Sequence, residues 1–155
     1  MRIKCKTPST GRAINLTKIN IGTDWTTVGE APDFSVPDTS SVFPARDPED
    51  TTRAIRPGEI FFLTPMFARN KGIDDCWIEL RILFEDGTIV ECPGRMYIPG
   101  MDTALAPMQG RSILKRNPLG INGDRLQVRA QTANRLDIWV TGEEKLSSEH
   151  IGVVA

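Results

Sequence analysis

Histidine is almost missing from this chain. Of 155 residues only His150 is of that type, so no pair of imidazoles can build a metal centre. A Ser/His/Asp or Cys/His catalytic unit has a single, near-terminal candidate for its base. Cysteine is scarce as well. Cys5, Cys76 and Cys92 are an odd set with no CxxC spacing, which suggests neither a disulfide framework nor a zinc knuckle. Beyond Lys4 and Lys6 beside Cys5, no basic side chain or histidine flanks them in sequence; buried, inert thiols are the ordinary reading. No run approaches the ~20 apolar residues of a membrane helix. The opening "MRIKCKTPSTGRAINL" lacks the apolar core of a signal peptide, so a soluble protein made in a cytoplasm is expected. The "NLT" at Asn15 to Thr17 then matches a glycosylation acceptor by chance. With 19 basic and 20 acidic residues, the chain also lacks the basic excess of an electrostatically driven nucleic-acid binder.

Motifs are missing too. There is no P-loop, GxGxxG or EF-hand loop. "GRSIL" at Gly110 to Leu114 begins like a GxSxG elbow, but Leu114 replaces the last glycine and no strand–turn–helix context follows, so Ser112 is not read as a nucleophile. Asp74 and Asp75 are adjacent and point to opposite faces of an extended chain, whereas paired acid/base work needs both carboxylates on one face. Asp86, Asp102 and Asp124 sit beside turn residues, where backbone chemistry alone accounts for aspartate. No catalytic, cofactor-binding or metal-binding residue is assigned, no cofactor is expected, and an enzyme is not.

What the chain does have is strand pattern and turns. Hydrophobic content is 39%, with 11 Pro and 13 Gly, enough for one domain over 1–155 with a core and many loops. No window carries helical periodicity, and no repeat of fixed period occurs. Short runs with turn signals between them predict an all-β fold, an antiparallel β-sandwich of jelly-roll-like type. In "RAINLTKINIGTDWTTV" Ile14 and Leu16 share one parity and Ile19 and Ile21 the other, so a bulge or break is expected near Thr17 and Lys18. "EIFFLTPMF", residues 59–67, fits a strand buried on both sides and ended by Pro65.

"CWIELRILFEDGTIVECP" puts Ile78, Leu80, Ile82 and Phe84 on one face and Trp77, Glu79, Arg81 and Leu83 on the other. A two-residue Asp86-Gly87 turn would set Ile82 against Glu91. A three-residue loop, Glu85-Asp86-Gly87, pairs Ile82 with Val90, Arg81 with Glu91 and Leu80 with Cys92, with Gly87 in the left-handed position of a G1 bulge. That register keeps Cys92 away from Cys76. Short strands follow at MYI, TALA and RSILK, then a turn at "GINGD". "RLQVRAQTANRLDIWV" reads as a second hairpin, with Leu126, Val128, Ala130, Leu136, Ile138 and Val140 facing in and Arg129 opposite Asp137 outside.

Residues 31–58 interrupt this pattern with Pro32, Pro37, Pro44, Pro48 and Pro57 among acids and hydroxyls, which argues against a central strand. Phe34, Val36, Val42 and Phe43 make the segment too apolar for a plain linker, and it is long for a loop. A loop over its own domain, an extended arm on a neighbouring subunit and simple disorder all stay open. The basic run Arg111, Lys115 and Arg116 is either a solvated edge or a contact for an acidic partner surface such as a neighbour's 33–50 segment. Trp139 falls on an outer face, a hint of an interface or of cover by a loop, while Trp25 and Trp77 fit the core equally well. The tail, residues 142–155, is polar and then apolar, with Ile151 and Val153 near its end.

Gly123-Asp124, Leu126, Val128 and Ala130, then Leu136-Asp137-Ile138, Val140 and Gly142-Glu143-Glu144, after a Pro99-Gly100 turn, resemble the closing segment of small all-β structural proteins of tailed bacteriophages. "TPSTGRAINLTKINI" is similar to their opening strand. The resemblance covers about half of the chain and rests on turn-and-strand patterns; the 31–58 segment departs from it. It implies a virion component, made in the host bacterial cytoplasm, that assembles as a symmetric homo-oligomer on portal or neck, tail or capsid protein. The interface would then draw on Phe34, Val36, Val42, Phe43, Arg111, Lys115, Arg116, Trp139, Ile151 and Val153. A second class is a module that binds carbohydrate or a host surface, with Trp25 or Trp139 as a stacking platform.

Overall fold

The structure is a computed structural model; it describes residues 12–33, 57–106, 111–116 and 122–146, with the side chains of 92–94 and 111–113 outside that set. Ten strands and no helix occur among the described residues: β1 (Arg12–Lys18), β2 (Thr26–Glu30), β3 (Gly58–Phe62), β4 (Met66–Asn70), β5 (Cys76–Leu83), β6 (Ile89–Ile98), β7 (Thr103–Ala106), β8 (Arg111–Lys115), β9 (Arg125–Ala130) and β10 (Leu136–Leu146). They form two antiparallel sheets. In the first, β10 pairs with β1 on one side; on its other side it pairs with β4 near its start and with β3 near its end, and β7 and β8 lie outside those two. The second runs β2-β9-β5-β6. Alternate residues of both sheets close a common core that includes Ile60, Phe62, Ile78, Leu80, Leu114, Leu126, Val128, Leu136 and Ile138. This is an all-β sandwich, as the strand pattern requires.

The first hairpin turns as the sequence demands. Phe84 N–H donates to the Thr88 carbonyl at 2.8 Å and Gly87 N–H to the Phe84 carbonyl at 2.9 Å, leaving Glu85-Asp86-Gly87 as the loop. Gly87 has φ +90°, where a Cβ is strained. Arg81 pairs with Glu91 and Ile82 with Val90. Beyond that the register slips: Leu80 faces Gly94, not Cys92. An extra pair of residues on β6 bulges there, and a proline, which has no N–H to give a ladder, sits within it. Cys76 is a free, buried thiol, while Cys5 and the Cys92 side chain lie outside the described set.

Other elements differ from expectation. "RLQVRA" and "LDIWV" are not a hairpin, because β9 belongs to one sheet and β10 to the other. The chain arches across the end of the sandwich, with Gln131 N–H on the Trp77 carbonyl and Asn134, at φ +64°, giving its N–H to the Ile21 carbonyl. MYI continues β6, and "MFARN" after Pro65 is a strand of its own. The parity break comes after Lys18, at Asn20 with φ +54°, where the chain leaves one sheet for the other. Ile21 is fully buried, whereas Ile19 is 62% exposed. TALA and RSILK form strands where expected. Gly142 to Leu146, assigned above to the tail, are the second half of β10.

Candidate functional site on the outer faces of the sheets

Three polar or aromatic assemblies lie outside the core. The first is on the outer face of the β2-β9-β5-β6 sheet. Glu79 is flanked in register by Arg95 on β6 and Arg129 on β9. It accepts from Arg95 at 2.8 Å and from Arg129 at 3.3 Å. The hydrogen bond from Arg95 is the main cause holding the Glu79 carboxyl below its usual range, with the Arg129 charge adding to it. The guanidinium groups do double duty: Arg95 lies 4.1 Å over the Trp77 ring, while Arg81 and Arg129 lie 4.0 and 4.7 Å over Trp25. Arg81 also donates to Gln127 at 2.8 Å. Such stacks hold cations over the negative face of an indole. Trp25 and Trp77 are therefore half-buried cover for this face and not core. Period-two alternation placed Glu79 and Arg81 outside, but nothing local to β5 showed that β9 would bring Arg129 beside Glu79.

The second assembly anchors the segment between β2 and β3. Asp33 and Pro57 form an antiparallel bridge, and Gly58 N–H donates to the Pro32 carbonyl at 2.8 Å. Asp33 and Pro57, which bracket residues 34–56, are thus direct neighbours. Arg116 locks this base: it is 8% exposed, and its Nε and Nη2 donate to the Ala31 carbonyl at 3.1 and 2.7 Å. Glu30 accepts from Gly123 N–H at 2.9 Å and lies 3.6 Å from Arg125. Asp124 accepts from the amides of Lys115 and Glu85, and burial nevertheless pushes its carboxyl above the usual range. One knot therefore ties the base of the insert, the β8–β9 connection and the first hairpin.

The third assembly is on the outer face of the other sheet. Trp139 is opposed by Thr17 on β1 and Phe67 on β4. Its ring stacks on Phe67, with centroids 5.3 Å apart and planes 5° from parallel. Leu105, opposite Phe67 on β7, continues an apolar row and is exposed. Beside Trp139 an open cavity of about 410 Å³ is lined by Asn15, Thr17, Ile19, Arg69, Asp137, Ile138 and Trp139.

Among the expected interface residues, the side chains of Lys115, Arg116 and Trp139 are described. Trp139 is outside, as its alternation required, and 38% exposed. Arg116 leaves the exposed basic run, since it is buried at the base of the insert; Lys115 is half-buried. Arg111 is in β8 with its side chain outside the described set, and Phe34, Val36, Val42, Phe43, Ile151 and Val153 lie outside the described residues altogether. Among the described residues no group of three His, Cys, Asp or Glu is placed to hold a metal ion. Comparisons with family models, with curated proteins and with solved structures return no match for this chain.

Proposed function

We propose that the chain is a structural component of a tailed-phage virion, assembling as a symmetric homo-oligomer on portal or neck, tail or capsid protein. The observation that carries this reading is the strand order. With β3 and β4 taken as one interrupted strand, and β7 and β8 outside them as another, the sheets run β1-β10-β3/β4-β8/β7 and β2-β9-β5-β6, with six of the connections crossing from one sheet to the other. That order supports the reading of the sandwich as a jelly roll, the double Greek key found among viral capsid and lectin domains. Fold alone does not give function; the sequence resemblance to phage structural proteins narrows the choice to the virion.

The mechanism is shape and pairing. The residues that bracket the 34–56 insert are tied together by the Asp33–Pro57 bridge and by Arg116 on the Ala31 carbonyl, so that contacts made by the insert would fix the orientation of the sandwich that carries it. The partners are other copies of the chain and the virion protein on which they assemble.

The test is to replace residues 34–56 by a short Gly/Ser turn joining Asp33 to Pro57 and to measure mass and thermal stability. The reading expects an unchanged sandwich and weakened assembly, both with itself and with purified portal, tail or capsid protein. A variant that unfolds would make the insert a cover for its own core. One that assembles as before would remove the insert from the interface.

A further inference from the structure

Of the three tryptophans, two are already covered on the sandwich surface. Arg81 and Arg129 lie over Trp25, and Arg95 over Trp77. Trp139 differs. Phe67 covers one face of its ring from the β4 side. The cavity beside it is bordered by Asn15, Thr17 and Ile19 from the β1 side, so the ring's second face looks onto open space.

The polar groups around that space are unequally satisfied. Asp137 is taken up: Lys71 lies 3.0 Å from its Oδ1, and Asn20 N–H donates to the same atom at 2.8 Å. Arg69 stands directly across from Asp137 in register, yet it makes no ion pair among the described residues and is exposed. The cleft lining therefore holds one cation, Arg69, and one carboxylate, Asp137, and the charge of the latter is already matched by Lys71 from beside it. Asn15 accepts the Thr141 hydroxyl at 3.2 Å through its carboxamide oxygen, which leaves its NH2 group to donate. Thr17, two residues on along β1, adds a hydroxyl.

We infer that this cleft binds a carboxylate-bearing saccharide, with one sugar ring on the Trp139 face turned away from Phe67 and its carboxylate paired with Arg69. A flat aromatic plate fits the apolar face of a pyranose, and the short hydroxyl and amide groups of Thr17 and Asn15 suit ring hydroxyls. A planar guanidinium matches a carboxylate through two parallel hydrogen bonds. The cavity volume, about 410 Å³, falls within the ~300–1,000 Å³ of small-molecule sites. Charge favours an acidic sugar over a neutral one. The inference does not rest on the virion reading.

The test is titration calorimetry of the full chain with 3′-sialyllactose, a hyaluronate tetrasaccharide and a galacturonate tetrasaccharide. Lactose and cellotetraose are the neutral counterparts. At least one acidic saccharide is expected to bind, about tenfold more tightly than the neutral ones. Trp139→Ala abolishes that binding and Trp139→Phe restores part of it. Arg69→Ala lowers acidic binding to the level of the neutral sugars. Both positions are exposed, and circular dichroism verifies that each variant is folded. No binding of any acidic saccharide at millimolar concentration overturns the inference, as does binding that Trp139→Ala leaves intact. A Trp139→Ala variant that changes oligomer mass while no saccharide binds the native chain also overturns it, making the face a subunit contact. Failure of the insert-deletion experiment leaves this site untouched.

Discussion

Glu79 accepts a 2.8 Å hydrogen bond from Arg95, its directly opposed neighbour across the β5–β6 pair. The glutamate side chain is 8% exposed and that of the arginine 47%, so the pair is half in solvent and worth less than a buried one. Replacing Glu79 by Gln should cost about 1 kcal/mol at neutral pH, the scale of a partly screened charged hydrogen bond. Because the folded carboxyl titrates below its ordinary 4.5, its contribution is present above that pH and is lost as pH falls through the lower folded value. Urea unfolding of both proteins at pH 7 and pH 3 checks this: the difference between them should shrink at the lower pH. A gap that stays constant would mean that Glu79 acts by shape alone.

Arg116 supplies the second expectation. Its guanidinium meets the Ala31 carbonyl through two nitrogens and lies 3.4 Å from Glu30. Arg116→Ala leaves a buried carbonyl without those donors, which costs roughly 1–3 kcal/mol. Arg116→Lys should recover part of that, since an ammonium cannot reproduce the fork. Hydrogen exchange locates the effect. The Gly58 amide, bonded to the Pro32 carbonyl, should exchange faster in the alanine variant while the Leu80 and Val128 amides of the core do not.

Two glycines separate conformation from space. Gly87 has φ +90° and nothing within 4 Å of a Cβ, whereas at Gly100 a Cβ would stand 2.0 Å from the Ile73 carbonyl oxygen. Gly87→Ala therefore meets only the left-handed penalty, about 1–2 kcal/mol, and Gly87→Asn should cost less because asparagine tolerates that region. Gly100→Ala must move backbone and should cost more than either. Thermal melts of the three variants rank them: Gly87→Asn highest, Gly100→Ala lowest.

Period-two alternation was enough to find the core. Leu126, Val128, Ala130, Leu136, Ile138 and Val140 are all buried, as their spacing demands. It could not say which sheet each strand joins, because an apolar face pointing into a sandwich looks the same from either side. The hairpin at Gly87 was legible for a local reason: loop length and glycine fix its register. The slip at Leu80 was not, because the bulge lies near Pro93, beyond the reach of the turn. The surfaces were half legible in the same way. Alternation put Trp139 and Glu79 outside, but the neighbours that give them meaning, Phe67 and Arg129, come from strands 72 and 50 residues away.

The arch between β9 and β10 puts Arg129 and Asp137 in different sheets. In a β9–β10 hairpin Arg129 would oppose Asp137 and the two would couple. In the sandwich Arg129 pairs with Glu79 at 3.3 Å, and Asp137 with Lys71 at 3.0 Å in the other sheet. Double-mutant cycles separate the two arrangements, since only groups in contact or in one network show an interaction energy. Alanine replacement of Arg129 and Glu79, singly and together, should give a coupling of about 0.5–1 kcal/mol, at the upper end for partly exposed pairs. The same cycle on Arg129 and Asp137 should give none within error. Coupling in the second cycle with none in the first would restore the hairpin. It would also place Trp139 and the cleft beside it in the β2-β9-β5-β6 sheet.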